Sequence, residues 1–118
     1  MKKTILFIDD EQYYQDVYGK VLEAEYELTY SKNGEDALQK ISDTNFDLIV
    51  LDLVMPIMSG KKLIEEIGKN SKSKLIVLTT LEGDTDRQDA LENGADFFLV
   101  KNDTNPQELL KNVKKLID

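Results

Sequence analysis

Polar residues that can do chemistry follow directly after four apolar stretches of this sequence. The first stretch ends on two carboxylates, the second on one carboxylate, the third on a hydroxyl and the fourth on an amine. In chain order these residues are Asp9 and Asp10, Asp52, Thr79, and Lys101. The carboxyl ends of parallel strands lie along one edge of a sheet, so a parallel sheet would bring these side chains to one small site.

Three carboxylates at neighbouring strand ends repel one another unless a cation neutralises them. Adjacent strands lie about 4.8 Å apart, which places Asp10 and Asp52 within reach of one shared ligand, with Asp9 close behind. Without a cation, such packing raises at least one carboxyl pKa. Oxygen ligands suit a hard divalent ion, so we expect Mg²⁺ here, with Mn²⁺ as the alternative.

An acid beside a divalent ion, an amine and a hydroxyl is typical of a phosphate site. The Asp52 carboxylate is the candidate nucleophile for a phosphoryl group, and the metal and Lys101 would neutralise charge on the transferring oxygens. The Thr79 hydroxyl would donate to a phosphoryl oxygen. Each residue alone has an ordinary interpretation, as a helix cap, a solvated amine or a locally bonded hydroxyl, but their joint placement favours the site.

Alternating strand and helix patterns must position these residues. Most of the apolar runs are continuous and rich in Ile, Leu and Val, which indicates strands covered on both faces by helices. The predicted strands are Thr4–Ile8, Tyr26–Tyr30, Asp47–Leu51, Lys74–Thr79 and Asp96–Val100. The second of them alternates polar and apolar residues, as an edge strand does. The sequence therefore predicts an α/β fold, a flavodoxin-like (βα)5 doubly wound three-layer sandwich with parallel strand order 2-1-3-4-5.

Helical periodicity and capping signals predict five helices. They are Glu11–Ala24, Gly34–Ser42, a helix that begins near Ser59 and Gly60, Thr85–Glu92, and a helix that begins at Asn105 and Pro106. Asn33 and Asp84 are the predicted N-caps of the second and fourth helices, and Gly94 is the predicted stop of the fourth. The fourth helix has only Ala90 and Leu91 as clear inward residues, so we expect it to be weakly held.

Composition limits the function further. The chain has 118 residues, no cysteine, no histidine and a formal charge of −8. A thiolate nucleophile and a histidine base are thereby excluded, and the acidity argues against direct nucleic-acid binding by this domain. No apolar run is long enough to cross a bilayer, and acidic residues interrupt the apolar start too early for a signal peptide. We therefore expect one cytoplasmic domain with no membrane partner.

Together these residues resemble the response regulator receiver domains of two-component signalling, the family that includes the chemotaxis regulator. The similarity covers residues 1–118, so we expect one receiver domain over this range and no output domain. The family's signature D-x-x-M-P-x-M-x-G is matched from Asp52 to Gly60. The other matching positions are the acidic pair Asp9 and Asp10, the switch hydroxyl Thr79, the switch aromatic Phe98 and the lysine Lys101.

The resemblance implies a phosphorylation switch rather than an enzyme with a separate substrate. Asp52 would accept a phosphoryl group from a sensor histidine kinase or a phosphotransfer protein, and the chain would catalyse only that transfer and its own dephosphorylation. The Mg²⁺ ligands implied are Asp9, Asp10, Asp52 and the backbone carbonyl of Val54, with Asp9 acting through water. Thr79 would then move inward and Phe98 would follow, which alters the face of the fourth helix, fifth strand and fifth helix.

That altered face would contact a downstream protein target or an output domain, or would form a phosphorylation-dependent homodimer. Phe98 as an ordinary core residue is the alternative to its switch role. The chain departs from the family at Asn102, where proline usually follows the lysine. Val54 and Leu81 are both apolar at positions where the family tunes phosphate lifetime, which predicts a long-lived phosphoaspartate.

Three other interpretations share parts of this pattern. A haloacid-dehalogenase-type phosphatase also combines an aspartate nucleophile with Mg²⁺, but it needs D-x-D-x-[TV] where this chain has Asp9, Asp10, Glu11 and Gln12. A flavodoxin-like flavin binder needs a phosphate loop rich in Ser, Thr and Gly at the same place, where these acids would repel a phosphate. A pseudo-receiver would have the same fold without phosphorylation.

Overall fold

Apolar strands form the centre of the molecule, with helices on both faces of the sheet. The computed structural model describes residues 2–55, 58 and 60–118. The elements are β1 (Thr4–Ile8), α1 (Gln12–Glu23), β2 (Glu27–Ser31), α2 (Gly34–Asp43), β3 (Leu48–Leu51), α3 (Gly60–Asn70), β4 (Lys74–Thr79), α4 (Asp84–Glu92), β5 (Phe97–Val100) and α5 (Pro106–Ile117). A short 3₁₀ turn, Lys101–Asp103, follows β5. In the described residues the strands are all parallel and lie in the order β2-β1-β3-β4-β5, so the predicted doubly wound fold is confirmed.

The position of each strand agrees with its pattern of apolar residues. β2 is an edge strand, as its alternating sequence predicted, and its first four residues are exposed or half-buried. The apolar residues of β1, β3 and β4 are buried, because helices cover both faces there. One hydrophobic cluster joins the sheet to α2, α3 and α4, and a second joins it to α1 and α5.

Local signals fix several helix ends. The Asn33 side chain accepts a hydrogen bond from the N–H of Asp36 at 2.8 Å and caps α2, as predicted. Asn105 and Glu108 form a reciprocal capping box at the start of α5. Gly94 has a φ of 116°, a left-handed conformation that glycine adopts readily, and it ends the turn after α4.

Two expectations for α4 were wrong. Asp84 is the first residue of the helix rather than its cap, because Gly83 is extended in the cap position and offers no side chain. Asp84 instead places its carboxylate in the first turn, where it interacts favourably with the helix dipole. Leu91 is 38% exposed, since the helical turn that directs Ala90 toward the sheet points the next residue away from it. Ala90 is the one buried residue of α4.

No helix within the described ranges combines the length and apolar character that a membrane crossing requires. The remaining differences from the predicted boundaries are one residue at most at each helix or strand end. Three residues of the signature motif, Pro56, Ile57 and Ser59, lie outside the described residues, so the predicted start of α3 is tested only from Gly60 onward.

Candidate functional site

The acidic part of the site is built by the ends of β1 and β3. Ile8 and Leu51 are neighbours in the sheet register, and the N–H of Asp52 donates to the carbonyl of Ile8 at 3.1 Å. The residues that follow these strand ends therefore leave the sheet side by side. Carboxylate oxygens of Asp9, Asp10 and Asp52 lie within 4.8 Å of one another. This cluster of oxygen donors suits a hard divalent cation.

Burial makes the acidic cluster electrostatically costly. Asp9 is 1% exposed and Asp52 is 4% exposed, so little water reaches either carboxylate. Burial raises the pKa of Asp9 above its ordinary value of 3.8, although hydrogen bonds from Lys101 and from the Glu11 N–H act in the opposite direction. The negative charge of three carboxylates exceeds what one ammonium group can balance, and a divalent cation would supply the difference.

Lys101 is held inside the acidic cluster. Its Nζ donates to Oδ2 of Asp9 at 2.7 Å and to Oδ2 of Asp52 at 3.0 Å, with 2% of the side chain exposed. Burial by itself would lower the pKa of this amine, but its hydrogen bonds and ion pairs with both aspartates outweigh burial and raise the pKa above 10.5. The side chain is therefore an ammonium group at neutral pH.

Two tyrosines of α1 also contact Lys101, and neither contact was expected from the sequence pattern. The ring centroid of Tyr14 lies 3.6 Å from the Lys101 Nζ. The Tyr18 hydroxyl donates to the carbonyl of Thr104 at 2.6 Å and lies 3.2 Å from the carbonyl of Lys101. Tyr14, Val17, Tyr18, Val21 and Leu22 recur at helical spacing, and this pattern by itself predicts only an apolar stripe on the inner face of α1. The one signal in the sequence is that tyrosines, which carry a polar hydroxyl, occupy inward positions one turn apart, and this signal does not identify the residue they contact.

Thr79 lies at the end of β4 and is fully buried. Its Oγ1 accepts a hydrogen bond from the N–H of Leu81 at 3.3 Å. The hydroxyl proton is not used in this bond and can be donated to another acceptor. Within the described part of the chain, no hydrogen bond joins Thr79 to Asp52. The structure therefore brings together the acids and the lysine, and places the hydroxyl at the neighbouring strand end without a hydrogen bond to Asp52 among the described residues.

Phe98 and Val54 occupy contrasting environments. Phe98 is 5% exposed and packs in the cluster beneath α3 and α4. Arg87 of α4 covers its ring at 6.0 Å from the centroid and donates weakly to its carbonyl at 3.5 Å. Val54 is 49% exposed, and its N–H donates to Oδ1 of Asp52 at 3.1 Å.

The loop after β5 closes without a proline. Asn102 is exposed in the 3₁₀ turn, and the N–H of Thr104 donates to the carbonyl of Lys101 at 3.3 Å. The bond between Lys101 and Asn102 is trans, since the described residues contain no cis peptide bond.

Comparison with known proteins identifies the family of this chain. Residues 5–114 match the family model described as the response regulator receiver domain. The chain is 31% identical over 118 residues to the transcriptional regulatory protein SrrA of Staphylococcus aureus, a match that covers 99% of this chain and 48% of that protein. The chain thus spans about half the length of the curated relatives it matches.

Solved structures of similar fold include other response regulator proteins. A CheY-like response regulator receiver domain protein from Methanospirillum hungatei superimposes with a TM-score of 0.93 at 30% identity, covering 100% of this chain and 95% of that one. A response regulator from Burkholderia pseudomallei, solved with a phosphorylated aspartic acid, a calcium ion and citrate, gives a TM-score of 0.86 at 25% identity, with coverage of 98% and 66%. The chain belongs to the response regulator receiver domain family of two-component signalling systems.

Proposed function

We propose that this chain is a phosphorylation-activated switch whose phosphoacceptor is Asp52. The observation that carries the proposal is the joint geometry of Asp52: two further aspartate carboxylates lie within 4.8 Å of it, and the Lys101 ammonium lies 3.0 Å from its Oδ2. The similar Burkholderia pseudomallei protein carries a phosphorylated aspartic acid and a calcium ion, which supports the same chemistry here.

The phosphodonor is a phosphohistidine on a sensor histidine kinase or a phosphotransfer protein. A carboxylate oxygen of Asp52 attacks the phosphorus, a P–O bond forms, and the P–N bond breaks with its electron pair returning to the imidazole nitrogen. Lys101 offsets negative charge on the transferring oxygens. The Thr79 hydroxyl donates to a phosphoryl oxygen of the product. Its proton is available because Oγ1 only accepts in the hydrogen bond with the N–H of Leu81.

Receiver domains bind Mg²⁺ at an acidic pocket, and the donor set of this chain fits that ion because every ligand is an oxygen. The residues that would hold the ion are Asp9, Asp10, Asp52 and the backbone carbonyl of Val54. Mn²⁺ suits the same oxygen donors. Bound there, the ion supplies positive charge next to the phosphoryl oxygens.

The signal passes to the face formed by α4, β5 and α5. Phe98 lies on β5 and packs against α4, so a change in Thr79 on the adjacent strand β4 reaches α4 through this side chain. We assign the output to binding of a downstream protein target or an output domain, or to a homodimer that forms on phosphorylation. In physical terms a new local charge shifts the population of two packing arrangements.

Intact mass spectrometry tests the acceptor. The protein is incubated with acetyl phosphate, with Mg²⁺ or with a chelator, as wild type and as Asp52→Asn. Asp43→Asn, an exposed acid at the end of α2, is the matched control. We expect one Mg²⁺-dependent phosphoryl adduct on the wild type and on the control, and none on Asp52→Asn.

A folded wild type without an adduct would contradict the proposal and favour a pseudo-receiver. Turnover of small phosphate esters would favour the phosphatase interpretation, and flavin absorbance in the purified protein would favour the flavin binder.

A further inference from the structure

Both ends of Lys101 contact the same face of α1. The Nζ lies 3.6 Å from the ring centroid of Tyr14, and the carbonyl lies 3.2 Å from the hydroxyl of Tyr18. The two rings are one helical turn apart and stack, with centroids 6.3 Å apart and planes 28° apart. The Tyr18 hydroxyl also donates to the carbonyl of Thr104, so it contacts both ends of the turn after β5.

We propose that Tyr14 is the positioning residue for Lys101 in phosphoryl transfer, with Tyr18 fixing the backbone from which that lysine extends. The inference rests on the proposed function of Asp52. By this inference, α1 orients the Lys101 ammonium group toward the oxygens of the Asp52 carboxylate.

Tyr14 suits this task because of what surrounds the ammonium group. Two aspartate oxygens take two directions around Nζ, at 2.7 Å and 3.0 Å. The electron-rich face of the Tyr14 ring covers a further direction and attracts the cation without offering a hydrogen-bond acceptor that would compete with a phosphoryl oxygen. An aliphatic side chain at this position would leave that side of a buried cation uncompensated.

The turn after β5 explains why the backbone needs support. Asn102 is exposed, and the N–H of Thr104 donates to the carbonyl of Lys101 at a length of 3.3 Å, near the long end of the usual range. The bond from Tyr18 to Thr104, at 2.6 Å, joins this turn to α1. The backbone and the amine of Lys101 are thus both held by contacts with α1.

Three variants separate the ring from its hydroxyl and from general effects on α1. Tyr14→Phe keeps the aromatic face, Tyr14→Leu removes it, and Tyr13→Leu removes a ring that is 68% exposed and next in sequence. Tyr14→Met serves as a second aliphatic variant if Tyr14→Leu does not fold.

The first readout needs no phosphorylation. In proton NMR spectra, the ε-methylene protons of Lys101 are expected upfield of those of exposed lysines in the wild type, in Tyr14→Phe and in Tyr13→Leu, because the ring current of Tyr14 acts on them. In Tyr14→Leu that shift is expected to disappear. Acetylation of Lys101 by acetic anhydride, followed by mass spectrometry with the exposed Lys111 as internal reference, is expected to be faster in Tyr14→Leu only.

The second readout is the rate of phosphorylation by acetyl phosphate at saturating Mg²⁺. Loss of the aromatic face is expected to slow Tyr14→Leu by about tenfold, and Tyr14→Phe is expected to keep the wild-type rate. A Lys101 shift that survives in Tyr14→Leu, or an unchanged rate in that variant, would overturn the inference while leaving the proposed function intact. A wild type that takes up no phosphoryl group would overturn the proposed function and with it the role in transfer, and the NMR and acetylation results would still decide whether Tyr14 positions the lysine.

Discussion

Nζ of Lys101 lies 3.0 Å from Oδ2 of Asp52, although the two residues are 49 positions apart in the sequence. Both side chains are almost fully buried, with 2% and 4% of their surfaces exposed. The proposed acceptor and the cation that would stabilise its product are therefore in contact before any phosphoryl group arrives. Such preorganisation avoids reorganisation at the moment of transfer.

Mg²⁺ should stabilise the folded protein. Because the unfolded chain does not hold three carboxylates within 4.8 Å of one another, the ion binds the folded state preferentially. At a concentration tenfold above its Kd, we expect the free energy of unfolding to rise by about 1.4 kcal/mol. Urea unfolding with and without Mg²⁺ measures this gain. Asp10→Asn should lose most of it and the remote Asp43→Asn should keep it; equal gains in both variants would argue against the site.

Two glycines of α3 should respond oppositely to alanine. A Cβ on Gly60 would lie 2.4 Å from Cα of Leu53, a backbone atom next to Asp52, whereas a Cβ on Gly68 would meet nothing within 4 Å. We expect Gly60→Ala to lower the free energy of unfolding by about 1–3 kcal/mol and to slow phosphorylation. Gly68→Ala should raise the free energy of unfolding by about 1 kcal/mol. Chemical denaturation and the acetyl phosphate assay measure both. A Gly60→Ala variant as stable as the wild type would show that the close approach is not rigid.

Tyr18→Phe and Tyr26→Phe remove the same atom from two buried tyrosines with different partners. The Tyr18 hydroxyl lies within hydrogen-bond distance of two carbonyls. The Tyr26 hydroxyl makes no hydrogen bond of normal geometry in the described residues and has the Asp118 carboxylate as its nearby polar group. We expect Tyr18→Phe to lower the free energy of unfolding by about 1–2 kcal/mol because the Thr104 carbonyl loses this donor, whereas the Lys101 carbonyl keeps the N–H of Thr104. Tyr26→Phe should leave the free energy of unfolding close to that of the wild type. Thermal unfolding of both variants is the measurement, and equal losses would count against the bond between α1 and the turn.

The phosphoaspartate should be long-lived. Val54 and Leu81 follow Asp52 and Thr79 by two residues each, and their apolar side chains offer no hydrogen bond that could orient an attacking water. Removing acetyl phosphate and following the adduct mass should give a half-life well beyond seconds. Val54→Asn should shorten that half-life by about tenfold, the effect of one hydrogen bond in the transition state. Val54→Leu is the apolar control, and an adduct lost within seconds in the wild type would contradict the prediction.

Amide hydrogens of α4 should exchange faster than those of β3 and β4. Ala90 is its one buried residue and no side chain caps its start, so few contacts oppose local opening. Hydrogen exchange read by mass spectrometry across residues 84–92 tests this expectation. Protection equal to that of the central strands would show that α4 is firmly held despite its composition.

The sheet could be predicted because its strands have simple sequence patterns. Continuous apolar runs required cover on both faces, and the alternation in β2 placed that strand at an edge. The acidic end of the site followed from topology alone, since residues after adjacent parallel strands must lie side by side.

Contacts between side chains of α1 and the turn after β5 could not be predicted. An inward tyrosine and an inward leucine give the same periodicity, so the sequence does not reveal whether Tyr14 meets an aliphatic neighbour or the Lys101 cation. Leu91 was misplaced for a related reason. A helix with one buried residue and little periodicity leaves its rotation about its own axis undetermined.

Arg87, which covers the ring of Phe98 at 6.0 Å, is the only arginine in the sequence. A reagent selective for guanidinium groups would therefore modify one place in the whole chain, at the junction of α4 and β5. Arg87 is therefore an intrinsic probe of that junction. The rate of arginine modification would rise when α4 and β5 separate, and the measurement needs no added dye and no mutation.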